Sequence, residues 1–541
     1  MAKIPEQPFL TLDFSLDGGG VDFLGMRWVN LQLLTEYLIP GINNATRDFG
    51  TYCLATWIPS KFRSLCQRHN DFVYHNFTRF QESVEVAMSH AIRSHSPATS
   101  AFGATNRAFG TRQKLRLPGK LSFVDAARTH STSVYSAPLY GPSLKYLGLI
   151  QGEAAAQDGT STKIPLAYED PGCCLLVEAV ETALSKSKAF SKLARLEPVK
   201  LSETEIDDLG FHGLHPGFYR DASKKVKRAF LEKFLPKAPK NGRTLTAELL
   251  LHTLTLQENL TENEVRAAWH TGQFSNGQRL GFSTNDLSLQ REYWAIFQAR
   301  QYQRWIVEDF MWCFEDALLQ GCSTMDAITE WVISQLQEAS NGPTCFRDVV
   351  MREARQITRA SRFETISEHW DRQVHGAHPC YIDAPTYDDM DECDRALRML
   401  ARWWIRTLGW LASERHKDLL VLGGEERISA RCLFQWIMAR IDKPLSEFVR
   451  QLLEELVFAQ HIRVALSRFD GNRQRLRFAI GDGGIVPTRS AMEKLAGDDI
   501  PGWTADRLLA FTDLLCDLSV VARTDEGGLS PGEMADWVTK P

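Results

Sequence analysis

The sequence has no run of about 18 apolar residues, the least that crosses a bilayer as a helix, which argues against a membrane span. Its opening, MAKIPEQPFLTLDFSLDGGG, lacks the basic start and apolar stretch of a secretory signal. Close-spaced cysteines are missing too. Apart from Cys173-Cys174 the 11 cysteines stand singly, an odd number that points to reduced thiols in a cytoplasmic protein. Signatures of an active site are equally scarce. There is no G-x-x-x-x-G-K-[ST] phosphate loop and no H-E-x-x-H zinc helix. One G-x-S-x-G occurs, Gly528-Leu529-Ser530-Pro531-Gly532, but a hydrolase of that type needs a later histidine and none follows Ser530. No fixed-period repeat emerges, which argues against a regular solenoid. No catalytic residue can be nominated.

Acidic residues are nearly absent from one long stretch. From Val86 to Gly152 the single acid is Asp125, against Arg93, Arg107, Arg112, Lys114, Arg116, Lys120, Arg128 and Lys145. Its centre, SHSPATSAFGATNRAFGTRQKLRLPGK, is rich in Gly, Ser, Ala and Thr and reads as a loop over about 93–128. Loops beyond about 12–15 residues are usually functional or disordered. A basic loop carrying Phe102 and Phe109 can follow a phosphate backbone and stack on bases; a solvated surface loop is the plain alternative. The cations from Arg93 to Arg128 are the candidate nucleic-acid contacts, with Arg473 and Arg475 near the C-terminus.

What the chain has in plenty is helical patterning. At 541 residues it exceeds one core, so two to four domains are expected, and 14 Trp and 29 Phe supply large apolar surface. Met26 to Cys66 reads as two helices hinged on Pro40-Gly41. The first has Trp28, Leu31, Leu34, Tyr37 and Leu38 on one face; the second buries Phe49, Tyr52, Cys53 and Trp57 until Pro59 bends it. Asn44 or Thr46 can cap the second. The polar elbow between them, Asn43 to Asp48, either serves the backbone as caps or holds a ligand. His130–Ile150 reads as a helix and Gln151–Pro165 as a linker. Helices follow at Cys173–Lys188 and after a capping box of Ser202 and Glu205. Lys224 to Arg243 forms a basic amphipathic helix and a Pro-Lys linker. Long aromatic helices then run to Gly321 and over Asp391–Ser413, where spacing marks the aromatics as core. Near the end, a helix at Leu445–Leu466, a hairpin at RQRLRFAI-GDGG-IVPT, a helix at Thr504–Asp517 and a short strand are compatible with a winged-helix-like module.

The expected fold class is mostly α, a multidomain helical protein with a small C-terminal α+β winged-helix-like module. The segments are 1–150, an N-terminal helical domain with the basic loop; 166–243, ending in the Pro/Lys linker; 244–440, a central aromatic-rich helical domain; and 441–541, the C-terminal module. One cluster carries metal-capable groups. His375, His378, Cys380 and Cys393 supply four zinc-competent ligands at a spacing unlike common fingers, and a solvated acidic loop is the competing reading. Trp403, Trp404 and Arg406 are the candidate partner-binding residues, since aromatic and Arg side chains anchor interfaces.

Three stretches carry a resemblance. PGINNATRDFGTYCLATWIPSKF, HSTSVYSAPLYGPSLKYLGL and HIRVALSRFDGNRQRLRFAIGDGGIVPT with TADRLLAFTDLLCDL are similar to parts of accessory proteins of bacterial antiphage defence loci, Druantia-like or related helicase-containing systems. Asn43-Asn44-Ala45 departs from the Ser/Thr-rich elbow of that group. The resemblance implies an accessory subunit without an assigned activity; taken with the basic loop and the lack of an apolar span, the expectation is a non-enzymatic component that binds DNA, a helicase or nuclease subunit, or both, with no membrane partner and no cofactor. The alternative is a metal-dependent nuclease with a zinc-competent site near His375–Cys393.

Overall fold

The computed structural model describes residues 22–69, 77, 80–81, 83–85, 87–88, 91, 121–122, 134–135, 140–154, 164–167, 169–195, 200–212, 222–282, 284–338, 342–354, 392–412, 416–468, 476–487 and 506–540. Helices dominate, and strands among the described residues form only two-stranded antiparallel sheets. The chain divides into two compact units. The first comprises Met1–Leu34, Arg266–Gly281 and Arg291–Thr504; the second comprises Thr35–Val265, Phe282–Gln290 and Ala505–Pro541. No helix among the described residues is long and apolar enough to cross a membrane.

In the first unit the spine is the helix Asn285–Leu319 from Arg291 onward. Trp294, Phe297, Trp305, Phe310 and Phe314 are all buried on it, so the aromatic spacing does mark a core. Gly321, at φ +89°, closes it in the left-handed region that glycine tolerates. The amphipathic helix Glu392–Ala412 turns its apolar side inward. Trp403 donates its ring N–H to the Ala299 carbonyl at 2.9 Å, and Trp404 stacks on Phe434 with centroids 5.8 Å apart. Two of its arginines are occupied as well: Arg398 and Arg402 share the carboxylate of buried Glu353, at 2.6 and 2.9 Å.

The expected hairpin forms. Strand Phe478–Gly481 pairs with strand Gly484–Pro487 around a two-residue Asp482-Gly483 turn, and the positive φ of the hairpin, +110°, falls on Gly484. Phe478 reaches Phe314, Phe458 and His461, while Arg477 just before it clasps fully buried Glu315 through both carboxylate oxygens. Helix Leu508–Asp517 and the antiparallel pair Val521–Arg523 with Leu529–Pro531 belong to the second unit, and that pair and the hairpin are separate sheets. The described residues of 441–541 do not show the expected winged-helix module.

The second unit is built on helix Phe49–His69, packed by Pro171–Leu184, with Lys224–Phe234 against the latter. Phe49, Tyr52, Cys53 and Trp57 are all buried, as their spacing predicts. Other readings need correction. The helix ahead of Phe49–His69 in the chain, Arg27–Gln32 of the first unit, continues through a π-turn, Leu33–Leu38, within which the second unit begins at Thr35. The buried side is Val29, Leu33, Leu34 and Leu38, four residues apart in pairs, and Trp28 is half exposed. Among the described residues of 130–150 only Gly141–Tyr146 is helical. The segment read as a linker contributes an antiparallel pair, Ile150–Ala154 with Ile164–Ala167. The capping box does form: Ser202 N–H donates to Glu205 at 2.8 Å and Glu205 N–H to the Ser202 hydroxyl at 3.3 Å.

His461 of the first unit generates a prediction. It accepts from Arg477 N–H at 3.0 Å through Nε2, so Nδ1 carries the proton that faces the Phe23 carbonyl at 3.2 Å. Burial, opposed by the Phe23 bond and aided by the Arg477 charge, lowers its pKa from 6.5 to about 4. Between those values the unfolded chain holds more protons, so this contribution is complete above pH 6.5 and shrinks as pH falls toward 4. The term amounts to roughly 3 kcal/mol, at 1.36 kcal/mol per pKa unit. Denaturant unfolding of wild type and His461→Gln, which keeps a donor and an acceptor, should show the stability gap between them changing by about that amount between pH 7 and 4. A constant gap would mean that His461 does not stay neutral.

Candidate functional site

The polar residues of the second unit converge where its helices begin and end. Asn241 caps helix Gly242–Leu256 and so sets Arg243 in the first turn. The Arg243 guanidinium donates to Phe234 O at 2.7 Å and Lys233 O at 3.4 Å, the closing carbonyls of helix Lys224–Phe234, and to Pro40 O at 2.6 Å. Tyr146 and Phe234 cover it, 4.8 and 5.2 Å from the ring centroids. Burial lowers its pKa to about 10, so it stays charged at neutral pH. Gly41, at φ +77°, is fixed by the same contact. A Cβ there would lie 2.8 Å from Tyr146 and 3.0 Å from Arg243 Nη1.

The elbow follows directly, and its side chains serve the backbone. Asn43 Oδ1 accepts from Ala45 N–H at 2.8 Å and Thr46 N–H at 3.1 Å. The fully buried Thr46 hydroxyl accepts from Asn43 N–H and donates to Asn43 O, each at 2.9 Å. Neither Asn44 nor Thr46 caps the next helix. Asp48 does, taking Thr51 N–H at 2.6 Å, and Asp517 takes Phe49 N–H at 3.0 Å from 468 residues away. Burial, then the Asp48 charge, push the Asp517 carboxyl well above its ordinary value despite the Phe49 bond. Around this pair, Asp48 N–H meets the Tyr140 hydroxyl at 3.3 Å, and the Tyr52 and Ser143 hydroxyls are 2.5 Å apart. Burial raises the Tyr52 pKa to about 12, which keeps it protonated.

Two further pairs complete the region. Arg523 bridges Glu262 at 2.7 Å and Asp513 at 2.8 Å. Lys227 donates to the Ser519 hydroxyl at 2.8 Å. An amine beside a hydroxyl is also the pairing of Ser-Lys nucleophiles. Ser519, however, is the left-handed residue at φ +60° that closes helix Leu508–Asp517, with Val520 N–H returning to Leu515 O at 2.9 Å. Its geometry is that of a cap. A separate groove of about 210 Å³, lined by Pro59, Arg63, Glu169, Cys174 and Glu178, is smaller than the roughly 300 Å³ at which small-molecule pockets begin.

Of the nominated residues, Arg93, Arg107, Arg112, Lys114, Arg116, Lys120, Arg128, Arg473 and Arg475 lie outside the described residues, as do His375, His378 and Cys380. Cys393 is buried at the start of helix Glu392–Ala412. Among the described residues no group of three or more His, Cys, Asp or Glu is placed to hold a metal. Trp403 and Trp404 are 4% and 7% exposed, so they fill the first unit instead of standing open to a partner; the Arg406 side chain is outside the described set. The basic run from Lys224 is also largely engaged: Lys233 pairs with Asp170, Lys240 with Glu248, and Lys237 lies over Trp537.

The contact that the residue pattern concealed most completely is Tyr135. Pro59 sits inside helix Phe49–His69 and cannot donate to Ala55 O, the acceptor four residues back. The Tyr135 hydroxyl donates there instead, at 2.7 Å. Tyr135→Phe should therefore cost about 1–3 kcal/mol, the penalty of an unmet buried acceptor. In a Pro59→Ala background, where residue 59 regains its N–H, the cost should fall by at least half. Equal costs in both backgrounds, measured by chemical denaturation, would break the link. No family model, curated protein or solved structure matches this chain.

Proposed function

We propose that the chain is a non-enzymatic component of a bacterial antiphage defence complex, contacting DNA through the basic stretch 93–128 and working with a helicase or nuclease subunit in the cytoplasm. The observation that carries the DNA reading is a charge imbalance set between two rooted ends. Seven of the Lys and Arg residues between Val86 and Gly152 fall within 93–128, against one acid. On one side Met88 and Ala91 are buried; on the other Val134 is buried, with its N–H 3.3 Å from the carboxylate of buried Glu85. Tyr135 adds its bond to Ala55. A cation-rich segment held at both ends suits the sequence-independent neutralisation of phosphates. The partner reading rests on the resemblance of the three sequence stretches, because Trp403 and Trp404 are already covered.

The test is binding to random duplex DNA across a salt series. Affinity should fall steeply with salt, and replacing Arg107, Arg112, Lys114 and Arg116 with Ala should weaken binding to all sequences alike. The log–log slope should flatten by about 3–4, since each phosphate contact contributes roughly −0.9. An unchanged slope removes the loop from DNA contact. Metal-dependent cleavage of DNA by the purified chain alone, lost in His375→Ala and Cys380→Ser, would replace this reading with the nuclease.

A further inference from the structure

We propose that Arg300 in the first unit anchors a binding site for one small oxyanion, a carboxylate or phosphate-type group. Arg300 is 1% exposed. Its Nη1 donates to the Ile428 carbonyl at 2.9 Å and to the Gln303 side-chain oxygen. Gln303 in turn donates to the same Ile428 carbonyl at 2.8 Å, which fixes the plane of the guanidinium. The remaining edge, Nε and Nη2, has no hydrogen-bond acceptor among the described residues. Elsewhere in this unit the same edge shows what it selects. In Arg477, Nε and Nη2 take the two oxygens of Glu315, and in Arg347 they take the two oxygens of Asp442. Arg300 thus presents, inside the protein, the fork that recognises a pair of oxygens carrying negative charge.

Its surroundings are built to favour an anion. Ile428 is held at φ +48°, a strained conformation for a branched residue and one common at ligand clamps. Ser429 caps the nine-residue helix Ala430–Met438 through Cys432 N–H at 3.1 Å, so the positive end of that helix lies beside the guanidinium. Burial takes the Arg300 pKa down to about 9, which leaves it charged at neutral pH. The half-buried Cys432 thiol feels Arg300 and also Arg463 and Glu425. Glu425, which would oppose an anion, is exposed to solvent, where its charge is screened. A site this enclosed excludes a nucleic-acid phosphodiester, so the ligand is a small ion and the proposal is independent of the DNA reading.

The experiment uses the full chain, exchanged into chloride buffer and titrated with inorganic phosphate or acetate at constant ionic strength. One of the two should raise Tm by about 2–4 °C in a saturable manner, as linkage to a single site requires, and which one does so separates a phosphate-type from a carboxylate ligand. Arg300→Lys, which keeps the charge but loses the fork, should abolish the response. Arg300→Met should abolish it too and should melt no lower than wild type in chloride, because the unpaired buried charge is gone. Ion chromatography of the denatured wild type detects an anion carried through purification. No response to either ion together with no released anion overturns the proposal. So does an equal response in Arg300→Met, which would mean an adventitious ion only.

Discussion

A guanidinium can leave water only if its donors are met, and the second unit is arranged around meeting those of Arg243. Its partners are neutral carbonyls, drawn from the end of one helix and from the Pro40 turn. Carbonyl oxygens at a helix C-terminus carry the partial negative charge that the cation needs, and the two flanking rings exclude water from it. The demands then propagate. Pro40 must present its oxygen, Gly41 must lack a side chain, and Gly242 must approach Tyr37 closely enough that any Cβ would strike that backbone. One cation thus fixes segments about 200 residues apart. At three arginines the first unit meets the same requirement with carboxylates: Glu315 holds Arg477, and Glu353 holds Arg398 and Arg402. Removing one partner from such pairs is costlier than the pairs are stabilising, because the survivor remains buried and charged.

Much of this architecture is legible along the chain where the cause is local. The apolar spacing of Phe49, Tyr52, Cys53 and Trp57, the Ser202–Glu205 box, the Asp482-Gly483 turn and the Gly321 stop all depend on residues a few positions apart. What is hidden depends on distant ones. Asn44 and Thr46 are good caps in isolation, yet Asp48 is better placed and Asp517 joins it from the far end of the chain. Pro59 signals a bend until Tyr135 supplies the missing donor, and helix Phe49–His69 then runs through it. Helical spacing shows that Trp403 and Trp404 face something apolar but not whether that surface belongs to the same chain; Ala299 and Phe434 answer it. The elbow was ambiguous for a related reason. Asn and Thr side chains that close turns are the same groups that bind ligands, and only the partners of Asn43 and Thr46 separate the two uses.

The way the chain is shared between its units also bears on how it is made. The second unit draws on Thr35–Val265 but is completed only by Ala505–Pro541, roughly 240 residues later. At about 5–20 residues per second, synthesis takes some 12–50 s to cover that interval. Until then the N-terminus of helix Phe49–His69 lacks Asp517, and Phe234 lacks its contact with Phe511. The nascent chain must therefore carry an apolar, incompletely covered intermediate through that whole interval. Chaperone demand and the rate of translation across residues 266–504 become determinants of yield, independently of how stable the finished protein is.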